Sequence, residues 1–350
     1  MQGHGCNTGI TDAVCVWCYI GRGKNMKDKR ANTILNSFLM SNKAIVIVIL
    51  LSVVMSIISP NFLTSRNLMN VLRQVCVSTI TAVGFCMILG SNHIDLSLGS
   101  TVAMTGVVMG LLMKAGCPII LAIFVGLVVG AAIGAINATI ITVFKLPPFI
   151  VTMAMQQVLR GATYLITGML PVTDLPAGFV WFGQGYIGGV PVPVYIMLIM
   201  VAAVWVIVNR TKFGRYLLAI GGNADAAYVS GINVNRVRLG VFVANSMCAV
   251  VASVVLTARS ASAQPSAGLT MEMDAIAASV IGGTSMNGGS VNVVGAFFGA
   301  LIVGIVNNGL NLLGIDSNWQ TVSKGLLILV AVILDQVSRM MYEAKQNKNK

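Results

Sequence analysis

Charged side chains are scarce in this chain. Only 9% of its 350 residues are Asp, Glu, Lys or Arg, whereas 56% are hydrophobic and the mean hydropathy is +0.87. An average soluble domain has roughly 25% charged residues. Because so few charges cannot cover a water-facing surface, the composition argues against a soluble enzyme and against a disordered chain. Apolar stretches that recur from residue 44 to residue 334 predict an all-α polytopic membrane protein.

Nucleotide-binding and catalytic motifs are also missing. The sequence has no Gly-x4-Gly-Lys-Ser/Thr loop and no His-Glu-x-x-His pair, so we predict no catalytic residue and no cofactor bound by this chain. One metal hypothesis arises near the N-terminus, where His4, Cys6, Cys15 and Cys18 could supply four zinc ligands. Their spacing matches no familiar zinc site, and no metal site is predicted.

Positive charge is distributed unevenly along the chain. The formal net charge is +12, and Lys and Arg gather in segments 22–43, 210–238 and 339–350. Long stretches with almost no basic residue separate these segments, a pattern typical of charge retained on the cytoplasmic side of a membrane rather than of a nucleic-acid interface. Both termini are therefore predicted to be cytoplasmic, which requires an even number of crossings.

Ten membrane spans are predicted. A bilayer core needs about 20 apolar residues in a helix, and a helix bonds every backbone group internally. The eighth span is short and follows the polar segment 260–270, so a broken or half-buried helix is predicted there. The predicted spans are 44–59, 68–89, 96–113, 118–144, 148–166, 192–208, 239–258, 273–283, 294–313 and 322–337.

A short internal repeat suggests how the spans are organised. Segments 130–135 and 295–300 both read Gly-Ala-x-x-Gly-Ala, and they fall in the fourth and ninth spans. These spans are five positions apart in the order of the helices and therefore run in opposite directions, so we predict two inverted five-helix halves. The alternative is a general close-packing pattern, because Gly126, Gly130 and Gly134 recur at every fourth position.

Polar side chains inside the predicted spans are mostly neutral amides. A carrier driven by an ion gradient usually keeps acidic residues at mid-depth, and this chain shows few candidates. Amides bind hydroxyl groups without using charge and suit an uncharged polyol, or alternatively they bond neighbouring helices. The amides are Asn137, Gln156, Gln157, Asn245, Asn307, Asn308 and Asn311, and the ionisable residues noted beside them are Arg73, Arg160, Asp274 and Lys324.

A distinctive pattern lies in the basic segment after the sixth span. Asp225, Ala226, Ala227 and Gly231 form an acidic-Ala-Ala-x3-Gly sequence preceded by Asn223. Asn223 is predicted to cap a short helix, and Asp225 favours its first turn. The two alanines are predicted to leave one side bare, and Gly231 to end the helix. Such a helix suits a groove on a partner protein, although an ordinary loop is the alternative.

Two further motifs make the pattern specific. Segment 94–100 reads Ile-Asp-Leu-Ser-Leu-Gly-Ser, and segment 273–284 is followed by Gly288 and Gly289. With Gly221, Gly222 and Asn223, they resemble the membrane permease subunits of ribose-type sugar ABC importers, over residues 61–339. One departure stands out: Ser-Asn-His at 91–93 replaces the Gly-rich lead that the family usually has before the Ile-Asp-Leu-Ser motif.

The resemblance implies a transport system of several parts in a bacterial inner membrane. Two permease subunits, identical or paralogous, would form the passage for a monosaccharide of the pentose or hexose class. A separate ABC ATPase would bind ATP and magnesium, and an external sugar-binding protein would deliver the solute; no nucleic acid takes part. The chain is predicted to divide into a cytoplasmic segment 1–43, a permease domain 44–337 and a basic tail 338–350. Residues 1–25 of the first segment are predicted to be an extension without function. The permease domain includes a cytoplasmic coupling loop, 209–238.

Two groups of site residues follow from the resemblance. Asp95 and Asp274 are candidates for the substrate pathway or its gate, and their alternative role is to cap the N-terminus of a helix. An ion-coupled secondary sugar carrier remains the alternative function, and the sequence does not select one sugar. The predicted ATPase-coupling residues are Gly221, Gly222, Asn223, Asp225, Ala226, Ala227 and Gly231, and the candidates for the substrate pathway or its gate are Asp95, Ser97, Asp274, Gly282, Gly283, Asn307, Asn308 and Asn311.

Overall fold

The computed structural model describes residues 43–347. The zinc hypothesis and the predicted extension at 1–25 therefore lie outside the described residues. All packing contacts discussed below belong to the compact unit that begins at Val48.

The described residues form helices and one small hairpin, β1 (Tyr186–Ile187) with β2 (Val190–Pro191). Many helix ends follow from local sequence. Asn233 and Asn292 each accept a hydrogen bond from the backbone N–H three residues later and so begin a helix. The helices are α1 (Lys43–Ile58), α2 (Ser65–Gly90), α3 (Leu98–Lys114), α4 (Ile119–Val143), α5 (Pro148–Thr167), α6 (Ala177–Gln184), α7 (Val192–Arg210), α8 (Lys212–Gly222), α9 (Ala224–Val229), α10 (Val234–Ser260), α11 (Met271–Ile281), α12 (Val293–Leu312) and α13 (Ser317–Asn347).

Helices dominate the described residues, as the hydropathy pattern predicts. Five of them, α2, α4, α7, α10 and α12, are long and apolar enough to cross a membrane by length and composition. The helix α3 is apolar but shorter, with 17 residues, and α11 has only 11. The structure therefore agrees that the eighth predicted span is a short helix, and the total of ten crossings stays a prediction.

The helices α2 and α10 lie at the centre of the helix packing. Their most apolar windows are 78% and 61% buried inside the protein, against 28% for α4 and α7. They run antiparallel, since Gly84 packs against Cys248 while Arg73 and Arg259 lie together at the far end. The apolar side chains that α4 and α7 expose suit contact with lipid or with a second subunit.

Close helix packing depends on glycine at the positions that the repeat marks. A Cβ atom at Gly134 of α4 would lie 2.7 Å from the Phe242 carbonyl oxygen of α10. A Cβ atom at Gly295 or Gly299 of α12 would lie even closer to backbone, at the carbonyl groups of Gly282 and Ala278. Both Gly-Ala-x-x-Gly-Ala segments are thus surfaces where two helix backbones approach each other.

The segment between α5 and α7 contains structure that hydropathy does not predict. The helix α6 has eight residues, too few for a span, and the β1–β2 hairpin follows it. Gly183 packs against the backbone of Ala258 and Arg259 at the end of α10. Trp181 remains 46% exposed there, and exposed aromatic side chains of this kind are enriched at the level of the lipid headgroups.

Replacing Gly134 by Ala should destabilise the protein. The added methyl group would push α4 away from α10, and overpacking of this kind costs about 1–3 kcal/mol. Gly161→Ala in α5 is the matched control, because a Cβ there meets nothing within 4 Å. A thermal-shift assay in detergent should show a lower melting temperature for Gly134→Ala only, and equal melting temperatures would contradict the close contact.

Candidate functional site

The short helix α9 has the local structure that its sequence predicts. The Asn223 side chain accepts a hydrogen bond from the Ala226 N–H at 2.9 Å, and Asp225 lies in the first turn. Gly231 follows the helix with φ +84°, a conformation that favours glycine. These parts of the prediction are confirmed.

The prediction that both alanines lie on the bare side of α9 is wrong. Ala227 is buried against the hydrophobic core, because it faces the helices behind α9. The exposed face consists of Asp225, Ala226, Tyr228, which is 72% exposed, and Val229, which is 86% exposed. This face is therefore larger than two methyl groups would make it, and it combines apolar side chains with one carboxylate.

Four glycines bring the coupling segment against two other parts of the chain. We call Gly90, Gly221, Gly288 and Gly289 the glycine junction. The Gly289 N–H donates to the Gly90 carbonyl oxygen at 2.9 Å. A Cβ atom at Gly221 would collide with that same carbonyl group, and one at Gly288 with the Gly221 carbonyl group. The end of α8 thus touches both the end of α2 and the loop between α11 and α12, so the three sequence motifs converge here.

The segment 91–97 enters the protein interior without helical structure. Asp95 Oδ1 accepts hydrogen bonds from the Ser97 N–H (3.0 Å) and hydroxyl group (2.6 Å). Asn245 donates to Asp95 Oδ2 and Asn137 donates to Ser97 Oγ, both at 2.9 Å. All four side chains are at most 1% exposed. This network fixes the start of α3 beside the middle of α10, where Asn245 lies.

A second irregular segment, 261–270, approaches the same place from the opposite end. Ala263 exchanges two backbone hydrogen bonds of 2.9 Å with Val172, and it packs beside Gly110 in the last turns of α3. Five residues later, Gly268 lies against Gly99 in the first turn of α3. Segment 263–268 therefore lies along α3 from its last turns to its first. The N-termini of α3 and α11 meet beside the middle of α10.

Arg160 supplies hydrogen bonds that a helix would otherwise provide. Its Nη1 atom donates to the carbonyl oxygens of Pro265 (2.7 Å) and Ala267 (2.8 Å), and the side chain is only 8% exposed. Irregular backbone is tolerated at membrane depth only where protein or enclosed water satisfies its polar groups. Arg160, noted in the sequence as an ionisable residue inside a span, thus holds segment 261–270 in place.

Sequence reasoning missed Glu272. This residue is 4% exposed, and its Oε1 atom accepts a hydrogen bond from Gln156 at 2.9 Å. Its Oε2 atom is buried without a partner among the described residues and faces Gly99 in the first turn of α3. The sequence does contain a feature that could have identified Glu272, because Glu272 and Asp274 form an acidic pair at the start of a short apolar helix.

The remaining pathway candidates have different surroundings. Asp274 forms an ion pair of 2.8 Å with Lys324 of α13. Its alternative role as an N-cap is wrong, because the N-cap of α11 is Thr270 and Asp274 lies inside the helix. Gly282 packs against Gly295, and Gly283 has φ +87° at the end of α11.

The three asparagines of α12 do not act as one group. Asn308 and Asn67 of α2 exchange two amide hydrogen bonds of 2.9 and 3.0 Å. The Asn307 oxygen is buried without a partner among the described residues, whereas Asn311 is exposed and accepts from Gln320 at 2.8 Å. For Asn308, the alternative of bonding a neighbouring helix is confirmed.

Polar side chains are exposed around the two helix starts. Segment 261–270 exposes several of them, α5 adds one, and the Asp274–Lys324 pair is partly exposed nearby. Exposed polar groups at membrane depth are costly against lipid, so this surface suits a water-filled path or a second subunit. The exposed members are Gln157, Gln264, Ser266 and Thr270.

His93, where the sequence departs from the family pattern, faces Arg238. The Arg238 Nε–H donates to His93 Nε2 at 2.9 Å, and His93 Nδ1 lies 2.6 Å from the Ser91 carbonyl oxygen. Burial, together with the charge of Arg238, lowers the pKa of His93 to about 4. His93 is therefore neutral near pH 7, with its proton on Nδ1.

Replacing Arg160 by Met should loosen segment 261–270. The change keeps an unbranched, flexible side chain but removes every N–H donor, so two buried carbonyl groups lose their donor at about 1–3 kcal/mol for each. Hydrogen–deuterium exchange should rise in peptides covering residues 262–270, and the melting temperature should fall. Gln157→Met, on the exposed side of the same helix, should change neither. Unchanged exchange in Arg160→Met would show that other contacts hold the segment.

Known proteins resemble this chain over most of its length. The ribose import permease protein of Haemophilus influenzae is 41% identical over 314 residues, which are 89% of this chain and 97% of that protein. The ribose import permease protein of Bacillus subtilis is 43% identical over 82% of this chain and 90% of its own. The D-allose transport system permease protein of Escherichia coli is 37% identical over 83% and 90%. No solved structure matches the chain.

A protein family matches residues 67–332, which contain the glycine junction, both irregular segments and α9. Its description is the permease component of branched-chain amino acid transport systems. The match and the apolar helices together indicate a multi-pass membrane protein. The chain belongs to this family of transport permeases.

Proposed function

We propose that this chain is the transmembrane permease subunit of an ABC importer for a monosaccharide of the pentose or hexose class. The observation that carries the proposal is the glycine junction, which joins the segment leading into α9 to the lead into segment 91–97 and to the loop between α11 and α12. The relatives named for ribose, D-allose and fructose import support the sugar class. The chain is a transport subunit and not an enzyme, so ATP and magnesium bind a partner ATPase.

The packing supports two inverted halves with ten crossings. Four helices of the first half correspond to four of the second: α2 to α10, α3 to α11, α4 to α12 and α5 to α13. When each helix is exchanged for its counterpart, each of three helix contacts becomes another observed contact. The contact α4–α10 becomes α12–α2, α3–α4 becomes α11–α12, and α3–α5 becomes α11–α13. Each irregular segment then precedes the short helix of its own half.

The distribution of basic residues supports the orientation. Lys145, at the end of α4, and Arg210, at the end of α7, lie at the end of the protein that carries α8 and α9. The positive-inside rule makes this end cytoplasmic, in a bacterial inner membrane. Both termini are then cytoplasmic, and an external sugar-binding protein docks at the opposite end.

The exposed polar surface around segment 261–270 supports the position of the sugar path. Two permease subunits, identical or paralogous, facing each other across this surface would enclose it. Neutral amides and hydroxyl groups there suit sugar hydroxyls, and the Asp274–Lys324 pair lies beside them. Gly282 and Gly283 lie where α11 meets the start of α12, whereas Asn307 and Asn311 lie in the last turns of α12, so these residues are candidates for gates at two separate places. Asp95 and Ser97 lie behind the surface and hold the start of α3.

The glycine junction supports a route from ATP to the sugar path. Nucleotide binding draws the two ATPase subunits together, and α9 moves with the ATPase surface on which it docks. The coupling set comprises Gly221, Asn223, Asp225, Ala226, Ala227 and Gly231, whereas Gly222 of the predicted set faces open space at the junction. Because Gly221 touches Gly90 and Gly288, a displacement of α8 presses on the lead into segment 91–97 and on the loop after α11. Nucleotide binds one conformational state of the transporter more tightly than the other, and this difference in affinity shifts the equilibrium between the two states.

Reconstitution in lipid vesicles tests the proposal. Uptake of labelled ribose and related sugars should require the permease, its ATPase, a sugar-binding protein and ATP together. Vesicles with the permease alone should accumulate no sugar. Uptake by the permease alone that collapses with an uncoupler would contradict the proposal and favour an ion-coupled carrier.

Replacing Gly221 by Ala should uncouple ATP hydrolysis from uptake. The methyl group would force α8 away from Gly90 and Gly289, at an overpacking cost of about 1–3 kcal/mol. A cost of this size changes the equilibrium constant between the conformational states of the transporter roughly tenfold or more. Gly222→Ala is the matched control, because a Cβ there meets nothing within 4 Å.

The measurement is the amount of sugar imported per ATP hydrolysed in the reconstituted vesicles. Gly221→Ala should lower this ratio about tenfold with the subunits still assembled. Equal ratios for the Gly221 and Gly222 variants would show that the junction does not transmit the motion.

A further inference from the structure

A cavity of about 370 Å³ opens next to the start of α9. Its walls are the segment 91–93, the turn between α4 and α5, and the joint 220–224 between α8 and α9. We call this cavity the basic pocket, because Lys145 and Arg238 line it beside the neutral His93, and no acidic residue among the described residues 43–347 does.

The positive charge of Arg238 has no counter-ion within residues 43–347. Its guanidinium donates to neutral acceptors, His93 Nε2 at 2.9 Å and the Thr142 hydroxyl group at 3.3 Å. The ion pair found in that part of the chain is Asp274–Lys324, far along the sequence from this pocket. A guanidinium has five N–H donors, so Arg238 keeps donors for a ligand. Lys145 adds an exposed ammonium group to the same pocket.

Two residues of the pocket hold an unusual backbone conformation. Asn92 has φ +60° and Lys145 has φ +52°, and both line the pocket. A long side chain such as Lys rarely adopts the left-handed region, which costs of order 1–3 kcal/mol. Such conformations persist where the surroundings fix them, often at binding sites. Here the turns at 91–93 and 145–148 frame the pocket.

We propose that the basic pocket receives an Asp or Glu side chain of the ATPase subunit and forms a second anchor beside α9. The proposal rests on the proposed function, because α9 brings the ATPase to this surface. Ala224, the first residue of α9, is itself part of the pocket wall, so a partner seated on α9 also covers the pocket. A carboxylate complements both the guanidinium fork and the ammonium group.

A second anchor also has a mechanical consequence. Contact through α9 alone leaves the ATPase free to turn about that six-residue helix. An ion pair at Lys145 and Arg238 ties it to α4 and α10 as well. The ATPase then moves α8 and α9 relative to a fixed point on the permease.

Charge reversal at Lys145 tests the anchor without disturbing buried structure. The affinity of the ATPase for the permease in nanodiscs should fall about tenfold in Lys145→Glu, because an attractive charge pair becomes repulsive. It should fall less in Lys145→Gln, which removes the attraction without adding repulsion. Lys114→Glu at the opposite end of the α3–α4 hairpin is the control for net charge and should bind within about twofold of the unaltered protein. Equal melting temperatures confirm that all three variants fold.

Carbodiimide cross-linking tests the chemistry of the partner directly. The reagent joins an amine to a carboxylic acid as an amide and takes up the water that is released. Mass spectrometry of the assembled complex should find Lys145 joined to an Asp or Glu of the ATPase. Changing that acid to Lys should restore ATPase affinity to Lys145→Glu.

Three outcomes separate the explanations. ATPase affinity that is unchanged in Lys145→Glu, with no cross-link from Lys145, would overturn the second anchor. Retention of an anionic phospholipid that disappears in Lys145→Glu, with unchanged ATPase affinity, would also overturn it and assign the pocket to lipid. Ala226→Trp, on the exposed face of α9, should weaken ATPase binding in either case. A permease that binds no ATPase at all would instead contradict the proposed function.

Discussion

A protein backbone that leaves the helix inside a membrane must find hydrogen-bond partners within the protein. The segments 91–97 and 261–270 both face this constraint. Asp95 satisfies the first with the help of Asn245, and Arg160 satisfies the second through two carbonyl groups. These bonds decide where α3 and α11 begin. The polar surface at mid-depth and the meeting of the two helix starts depend on them.

Glycine connects this central region to the end of the protein that carries α9. Backbones that touch without side chains between them transmit a displacement directly, because packed interiors are incompressible. Gly221 touches Gly90, and Gly288 touches Gly221, so the coupling segment contacts the lead into 91–97 and the loop after α11. The neighbouring Gly222 faces open space. Two adjacent glycines therefore have different roles, which the sequence pattern alone does not distinguish.

Several buried or half-buried charges have identifiable partners. Asp274 pairs with Lys324, and Glu272 accepts from Gln156 below the first turn of α3. Arg160 donates to two backbone carbonyl groups and so holds segment 261–270. Arg238 lies against a neutral histidine and keeps an uncompensated charge in the basic pocket. A basic pocket beside an exposed apolar helix is a surface suited to a partner that is both apolar and acidic.

Much of the fold and part of the site could be predicted from sequence because the signals are local. Long apolar runs predict helices, Asn223 caps α9 through a backbone group three residues away, and the spacing of Gly130 and Gly134 marks one helix face. The short helix α6 escaped prediction because eight residues give too weak a periodic signal. The burial of Ala227 was not predicted, because the sequence motif does not indicate which side of α9 packs against the rest of the protein.

The sequence by itself determined the membrane class, the three motifs and the permease family, since composition and local spacing carry that information. Only the tertiary structure decided that Arg160 binds the carbonyl group of Pro265, that Gln156 binds Glu272 and that Arg238 binds His93. These partners lie more than one hundred residues apart along the chain. No local periodicity records such pairs, because they arise only when helices from different parts of the chain pack together.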